Sequence, residues 1–80
     1  MIFDFKSQDG LYRYEFHFTR ERPKYVEIRT YTNRIRMSGP KCWLHLIKDG
    51  KIIWRYDDWM DLTQDAKNYV SHLVKLRAFL

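Results

Sequence analysis

The chain has 80 residues and a formal net charge of +5, and 18% of its residues are aromatic. A chain this short forms one domain with a small core, so we predict a single domain over residues 1 to 80. No window approaches the roughly 20 apolar residues that a membrane-spanning helix needs. The first residues mix charged with apolar positions, unlike a secretory signal, so we expect a soluble intracellular protein with no membrane partner, located in the cytoplasm.

Cysteine and histidine usage argues against a disulfide or a structural zinc site. Cys42 is the only cysteine, so no internal disulfide can form. His17, His45 and His72 are far apart in the sequence, and the Cys/His spacing of structural zinc is missing. We therefore expect no metal site, no cofactor and no thiol chemistry, with Cys42 acting as a small buried hydrophobic residue.

Three runs in the first half of the chain alternate apolar with polar residues, the pattern of half-buried strands. We predict strands over about residues 2–6, 11–20 and 24–31. Asp9-Gly10 lies between the first two, and this dipeptide favours a type I′ hairpin turn. A three-residue loop after residue 20 would connect the second strand to the third. The predicted cross-strand pairs are Phe5–Tyr14, Phe3–Phe16, Phe16–Ile28, Phe18–Val26, Glu15–Arg29 and His17–Glu27.

A second hairpin is predicted where Asp49-Gly50 separates two apolar runs, over about residues 42–48 and 51–57. Pairing outward from this turn makes the hairpin apolar on both sides. Such a hairpin is either covered on both sides or keeps one side for a partner. The predicted pairs are Ile47–Ile52, His45–Trp54 and Trp43–Tyr56 on one face, and Leu46–Ile53 and Leu44–Arg55 on the other.

The last part of the chain changes to helical spacing, and we predict a helix over about residues 62–79. Asp61 with Gln64, or Thr63 alone, would cap its start. The helix would cover the Phe/Tyr face of the strands. The fold class is therefore α+β, an antiparallel β-meander of three strands and a further hairpin with one C-terminal helix on one sheet face. The predicted apolar stripe of the helix is Leu62, Ala66, Tyr69, Val70, Leu73, Leu76 and Leu80.

Motifs that carry catalysis are missing from the sequence. There is no Gly-rich phosphate loop and no nucleophile elbow, so we expect a protein that is not an enzyme and has no catalytic residues. Asp57, Asp58 and Asp61 can be interpreted as a cation site or as an ordinary acidic helix start. We favour the helix start, because carboxylates near helix N-termini are common without a ligand.

The aromatic load exceeds what one helix on one sheet covers easily. Most of the phenylalanines fall on the predicted core face, but several Tyr and Trp residues do not, and arginines lie near them. Trp, Tyr and Arg supply most hot spots of protein interfaces. The predicted partner-binding residues are Trp43, Trp54, Tyr56, Tyr25, Tyr31 and Arg29.

Basic residues concentrate between Arg13 and Lys41. They can form a solvated face, a phosphate-binding stripe or a patch for an acidic protein. Glutamates on the same strands weaken the phosphate interpretation there. The loop is the cleaner candidate, because Arg34, Arg36 and Lys41 have no acidic neighbour in the sequence. The nucleic-acid-binding residues predicted under the alternative hypothesis are Arg20, Arg22, Lys24, Arg34, Arg36 and Lys41.

The rhythm of a strand followed by a helix, from Lys51 to Leu76, is similar to that of the arm-type DNA-binding domains of phage integrases and of the plant AP2 domain. The similarity is architectural and matches no signature residues, so no functional position is carried over. Small aromatic-rich α+β chains also resemble phage-encoded antagonists of host defence, such as anti-CRISPR proteins. We expect a non-catalytic inhibitor or adapter that occupies a site on a protein or nucleoprotein complex, in the manner of a phage protein in its host cell. The alternative is direct DNA or RNA binding.

Overall fold

The computed structural model describes residues 1–32, 39–55 and 60–76. The strands pair in chain order as an antiparallel meander, and the C-terminal helix packs on one side of the sheet. The predicted α+β fold class is confirmed. The elements are β1 (Ile2–Lys6), β2 (Tyr12–His17), β3 (Tyr25–Thr32), β4 (Lys41–Lys48), β5 (Lys51–Ile52) and α1 (Gln64–Leu76).

The predicted register of the first three strands is confirmed. A slip of one residue would turn every side chain to the other face, so agreement in register means that the predicted core and solvent faces are also those observed. The observed pairs include Phe5–Tyr14, Phe3–Phe16, Phe16–Ile28, Glu15–Arg29 and His17–Glu27.

The connection between β2 and β3 is longer than predicted. β2 ends at His17, and the three-residue loop after residue 20 is wrong. The chain instead turns twice, with the Arg22 amide donating to the Thr19 carbonyl (3.3 Å) and the Tyr25 amide to the Arg22 carbonyl (3.1 Å). Pro23 explains the difference, because it has no amide hydrogen to donate to a strand partner.

The two Asp-Gly turns differ. Asp49 and Gly50 both have positive φ (54° and 74°), as a type I′ turn requires, and the hairpin predicted there is observed. In the first hairpin only Gly10 does (76°), so the type I′ turn predicted there is wrong. The Asp9 carboxylate accepts a hydrogen bond from the Leu11 amide (3.0 Å), an alternative that Asp side chains offer to turn backbones.

β5 is shorter than predicted, and only its first two residues form a strand. The Ile53 amide still donates to the Leu46 carbonyl (2.8 Å), which continues the predicted register by one residue. Trp54 lies beyond the strand but meets the His45 ring edge-on, with centroids 5.5 Å apart. The predicted continuation over 56–57 lies outside the described residues.

α1 supplies the second layer of the core. Ala66, Val70, Leu73 and Val74 are buried against the sheet. Leu76, which we predicted on the same stripe, is instead 62% exposed. Residues 77–79 of the predicted helix, and Leu80 of the stripe, lie outside the described part. The buried apolar residues are Tyr14, Phe16, Phe18, Val26, Ile28, Ile52, Met60, Ala66, Val70, Leu73 and Val74.

The start of α1 is fastened to the sheet by Tyr14. The Tyr14 hydroxyl donates to the Asp61 carbonyl (2.6 Å) and accepts from the Thr63 amide (3.2 Å), and burial raises the pKa of this phenol. Thr63 occupies the N-cap position, since its carbonyl accepts the amide of Lys67 (3.0 Å). The helix therefore begins two residues later than predicted.

Candidate functional site

The side of the sheet away from α1 is called the open face. Side chains alternate along a strand, so the residues between the core positions point to this side, and no described helix or strand covers it. The open face comprises Ile2, Asp4, Lys6, Arg13, Glu15, His17, Tyr25, Glu27, Arg29, Tyr31, Cys42, Leu44, Leu46, Lys48, Lys51 and, one residue beyond β5, Ile53.

The polar half of the open face is organised around Glu15. Its Oε1 lies 3.0 Å from His17 Nε2 and accepts from the Tyr31 hydroxyl at 3.0 Å, while Oε2 accepts from Arg13 at 3.1 Å. The His17 hydrogen bond first, then those from Arg13 and Tyr31, lower the pKa of Glu15 to about 2. Arg13 also pairs with Asp4 (3.0 Å) and lies 4.1 Å over the Tyr31 ring. These five residues, the Glu15 cluster, therefore hold one another in place.

A second ion pair lies beside this cluster. Arg29 Nε donates to Glu27 at 2.7 Å, and this hydrogen bond raises the pKa of Arg29. Cys42 is the direct neighbour of Arg29 on β4 and is exposed, so the prediction that it is a buried hydrophobic residue is wrong. Charges in the middle of the open face are thus paired with each other.

An apolar strip crosses the other half of the open face. It consists of Tyr25, Leu44, Leu46 and Ile53. Tyr25 lies opposite Leu46, and Tyr25 and Leu44 are 41% and 37% exposed. Two shallow depressions, of about 340 and 190 Å³, both have Tyr25 and Leu44 in their walls. The strip is therefore continuous and concave, which suits a protruding apolar group.

Positive charge collects where the strip ends. The β2–β3 connection and the β4–β5 turn lie at the same end of the sheet, because the Ile47 amide donates to the Lys24 carbonyl (2.7 Å). Glu21 and Asp49 are the acidic residues of these two connections. Five cationic residues lie in or beside these two connections, and we call them the basic end: Arg20, Arg22, Lys24, Lys48 and Lys51. None of their side chains is within ion-pair distance of a carboxylate of the described residues.

The structure does not bring the six predicted partner-binding residues together. Tyr25, Tyr31 and Arg29 lie on the open face, whereas the other two described residues lie on the side of α1. Trp43 is opposite Ile28 and is 38% exposed. Trp54 contacts His45 and has Lys67 Nζ 5.7 Å from its ring centre. Tyr56 lies outside the described residues.

The predicted nucleic-acid-binding residues also separate. Arg20, Arg22 and Lys24 are exposed and share the β2–β3 connection. Lys41 lies at the opposite end of the sheet, where its Nζ is 2.7 Å from Asp61 Oδ2. The expectation that Lys41 lacks an acidic neighbour is therefore wrong, because the fold brings the helix start to it. Arg34 and Arg36 lie outside the described residues.

Five residues of the apolar strip and the basic end were missing from the predicted sets: Leu44, Leu46, Ile53, Lys48 and Lys51. A signal for the three apolar ones was present in the second hairpin, which is apolar on both sides. The side that α1 would leave open was not evident from that pattern. The two lysines flank the Asp49-Gly50 turn, and the register of that hairpin places them opposite each other.

The described residues hold no cluster of three or more His, Cys, Asp or Glu side chains that could bind a metal ion. Of the three aspartates considered as a cation site, Asp61 pairs with Lys41, and 57 and 58 lie outside the described part. In that same part, no helix is long and apolar enough to cross a membrane. Comparison with protein families, with curated proteins and with solved structures gives no match to this chain.

Proposed function

We propose that this chain is a non-catalytic binding protein that docks its open face on a protein or nucleoprotein partner. The observation that carries the proposal is the apolar strip, which is exposed beside arginines on a face with no described covering element. A partner that buried Tyr25 and Leu44 would gain roughly 25 cal/mol for each Å² of apolar surface removed from water. Tyr and Arg are also the residues that most often dominate interface energetics.

The Glu15 cluster supports the same function through rigidity. Its members already satisfy one another's hydrogen-bonding groups, so these side chains are ordered before a partner arrives. Less conformational entropy is therefore lost on binding. Glu15 holds three hydrogen bonds and stays ionised well below neutral pH. A carboxylate used in this way is a positioning group, which favours recognition over acid–base catalysis.

The mode of action that fits this surface is occupation of a partner's site, as an inhibitor or an adapter does. A standard interface takes about 800 Å² from each partner, and the whole chain has a surface of 5982 Å². One sheet face of so small a protein can therefore be the whole interface. The similarity in size and aromatic content to anti-CRISPR proteins is consistent with this role in the host cell of a phage.

Direct DNA or RNA binding is the second candidate, and one observation favours it. Three of the six cations predicted for that function gather at the basic end with Lys48 and Lys51, next to the exposed Tyr25 ring. Cations for phosphates beside an aromatic ring for a base are the elements of single-strand binding.

The proposal is tested by recovering partners with matched baits. Wild-type protein, the double variant Tyr25→Ala/Leu44→Ala and the control Gln64→Ala/Asn68→Ala, on the exposed side of α1, are immobilised and exposed to the same extract. We expect a protein recovered with wild type and control to be lost with the open-face variant. Circular dichroism and urea unfolding must show that all three baits are folded.

Cys42 gives a second readout that needs no substitution. As the only cysteine, exposed on the open face, it should react with a maleimide in the free protein and be protected once the recovered partner is bound. Equal recovery by all three baits, with Cys42 fully reactive in the complex, would refute the proposal. Submicromolar binding of bare DNA or RNA in physiological salt, unaffected by Tyr25→Ala/Leu44→Ala, would favour the second candidate.

A further inference from the structure

We infer that the partner offers the open face an acidic peptide segment, whose apolar side chains cover the apolar strip while its carboxylates meet the basic end. This inference rests on the proposed function and specifies the chemistry of the partner. Its occupant is a protein segment, and a nucleic acid is the competing occupant that the experiment must distinguish.

The first observation is a pair of like charges. Lys48 and Lys51 are directly opposite each other across the β4–β5 hairpin, on the open face. Like charges in this position destabilise a sheet, and neither ammonium lies within 4 Å of a carboxylate oxygen in the described residues. An anion bound between them would relieve their repulsion, so this end of the hairpin favours a negatively charged ligand.

The second observation is the continuity between this charge and the apolar strip. Leu46 and Lys48 are successive open-face residues of β4, and Ile53 follows Lys51 on the neighbouring segment. A ligand that contacts the leucine is therefore within one side-chain spacing of the ammonium group. A polyphosphate chain would meet the cations but gain little from aliphatic side chains, whereas an acidic segment with apolar residues uses both.

Each of the two depressions along the strip has a guanidinium group in its wall beside Tyr25 and Leu44. Arg55 is the charged residue that lines the smaller depression, whereas Arg22 lines the larger one together with the acidic Glu21. The carboxylate of Glu27 in the larger depression is already held by Arg29 at 2.7 Å. Guanidinium groups at the walls of an apolar depression bind carboxylates well, because they can donate two parallel hydrogen bonds.

Peptide display tests the inference without a known partner. The probe is a phage-displayed library of random 12-residue peptides, selected on the full chain. We expect enriched peptides to combine at least two Asp or Glu residues with aliphatic or aromatic ones. The enriched peptide, made synthetically, should bind at least tenfold more weakly to Lys51→Glu and to Tyr25→Ala/Leu44→Ala, and its binding should weaken as salt is added.

Lys6→Glu is the matched control. Lys6 is exposed on the same face and, like Lys51, has a cation opposite it on the neighbouring strand, Arg13, but it lies at the other end of the sheet. The same change of charge there should alter peptide affinity by less than twofold. A loss at Lys6 as large as at Lys51 would mean that net charge alone drives binding, and would overturn the inference.

The outcomes separate the inference from the proposed function. The inference of an acidic segment is wrong if the enriched peptides are neutral or basic. It is also wrong if they bind Lys51→Glu normally but lose affinity for Tyr25→Ala/Leu44→Ala. Loss of affinity for the Tyr25→Ala/Leu44→Ala variant would still support the proposed binding face. Peptides whose affinity falls with Lys51→Glu but not with Tyr25→Ala/Leu44→Ala would contradict the proposal that the open face is the binding face. If no peptide is enriched while a labelled 20-nucleotide single strand binds through Lys48 and Lys51, the occupant is a nucleic acid and the inference is wrong.

Discussion

The two sides of the same sheet are built on opposite principles. The side under α1 holds the apolar core, and Tyr14, Phe16 and Ile28 have no exposed surface there. On the open face, residues one position away along the same strands, such as Glu15, form ion pairs and hydrogen bonds in partial contact with water. The strand alternation that makes the core therefore also makes a second surface with little role in packing.

This difference separates folding from recognition. Burial of large apolar side chains contributes kilocalories per residue, whereas exposed ion pairs contribute from nothing to about 1 kcal/mol each. Substitutions under α1 should therefore change stability first, and those on the apolar strip should change binding first.

The largest expected effect contrasts Phe16 with Leu44. Phe16→Ala should lower the free energy of unfolding by about 3 to 5 kcal/mol, since it leaves a cavity between the sheet and α1. Leu44→Ala, on the open face, should cost less than about 1 kcal/mol. Urea unfolding followed by circular dichroism measures both. If Phe16→Ala is too unstable to fold, Phe16→Leu should still cost more than Leu44→Ala; similar losses at the two positions would contradict the comparison.

The helix side could be predicted well from the sequence because its information is local and periodic. Phe3, Phe5, Tyr14 and Phe16 follow the strand period, and the apolar spacing of the last segment requires a helix to cover them. Errors fell at the ends of elements. At those ends, Pro23 and the Asx turn at Asp9 favour a turn over continued strand pairing. The difference in free energy between the two conformations is too small to be judged from the sequence.

The residues of the open face were harder to predict, because they depend on which side of the sheet α1 covers. Tyr25, Tyr31 and Arg29 were predicted to bind a partner, and they do share the open face. Trp43 belongs to the other side because residues directly opposite each other in a sheet share a face, and Trp43 is opposite the buried Ile28. The Lys41–Asp61 contact joins residues 20 positions apart, and no local pattern encodes it.

The second prediction concerns acid stability on the open face. The pKa of Glu15 falls from 4.5 to about 2 on folding, so the stabilisation is complete above about pH 4.5 and is lost as the pH falls towards 2. Glu15→Gln should lower the free energy of unfolding by about 1 to 3 kcal/mol at pH 7. Urea unfolding of both proteins from pH 7 to 2 should show this difference shrinking below pH 4.5. A constant difference would mean that the Glu15 cluster does not depend on charge.

The third prediction addresses the contact that joins α1 to the sheet. Tyr14→Phe keeps the packing of the ring but removes the hydroxyl shared by the Asp61 carbonyl and the Thr63 amide. It should cost about 1 to 2 kcal/mol, because two partly buried backbone groups then lose their partner. Hydrogen exchange should increase first in the early turns of α1. Tyr12→Phe on the same strand is the control, and equal losses for the two variants would remove the special role of Tyr14.

The smallest expected effect has the opposite sign, and it tests whether the open face is optimised for something other than stability. Lys51→Glu replaces a like-charged cross-strand pair with an ion pair between Lys48 and the introduced carboxylate, so the free energy of unfolding should rise by about 0.2 to 0.5 kcal/mol. The gain should shrink at high salt, since exposed charges are screened there. The same substitution is expected to weaken binding of an acidic peptide. A variant that is more stable and binds less well would show that the two lysines are kept at a cost to folding, whereas a loss of stability would mean that Lys51 is already neutralised within the chain.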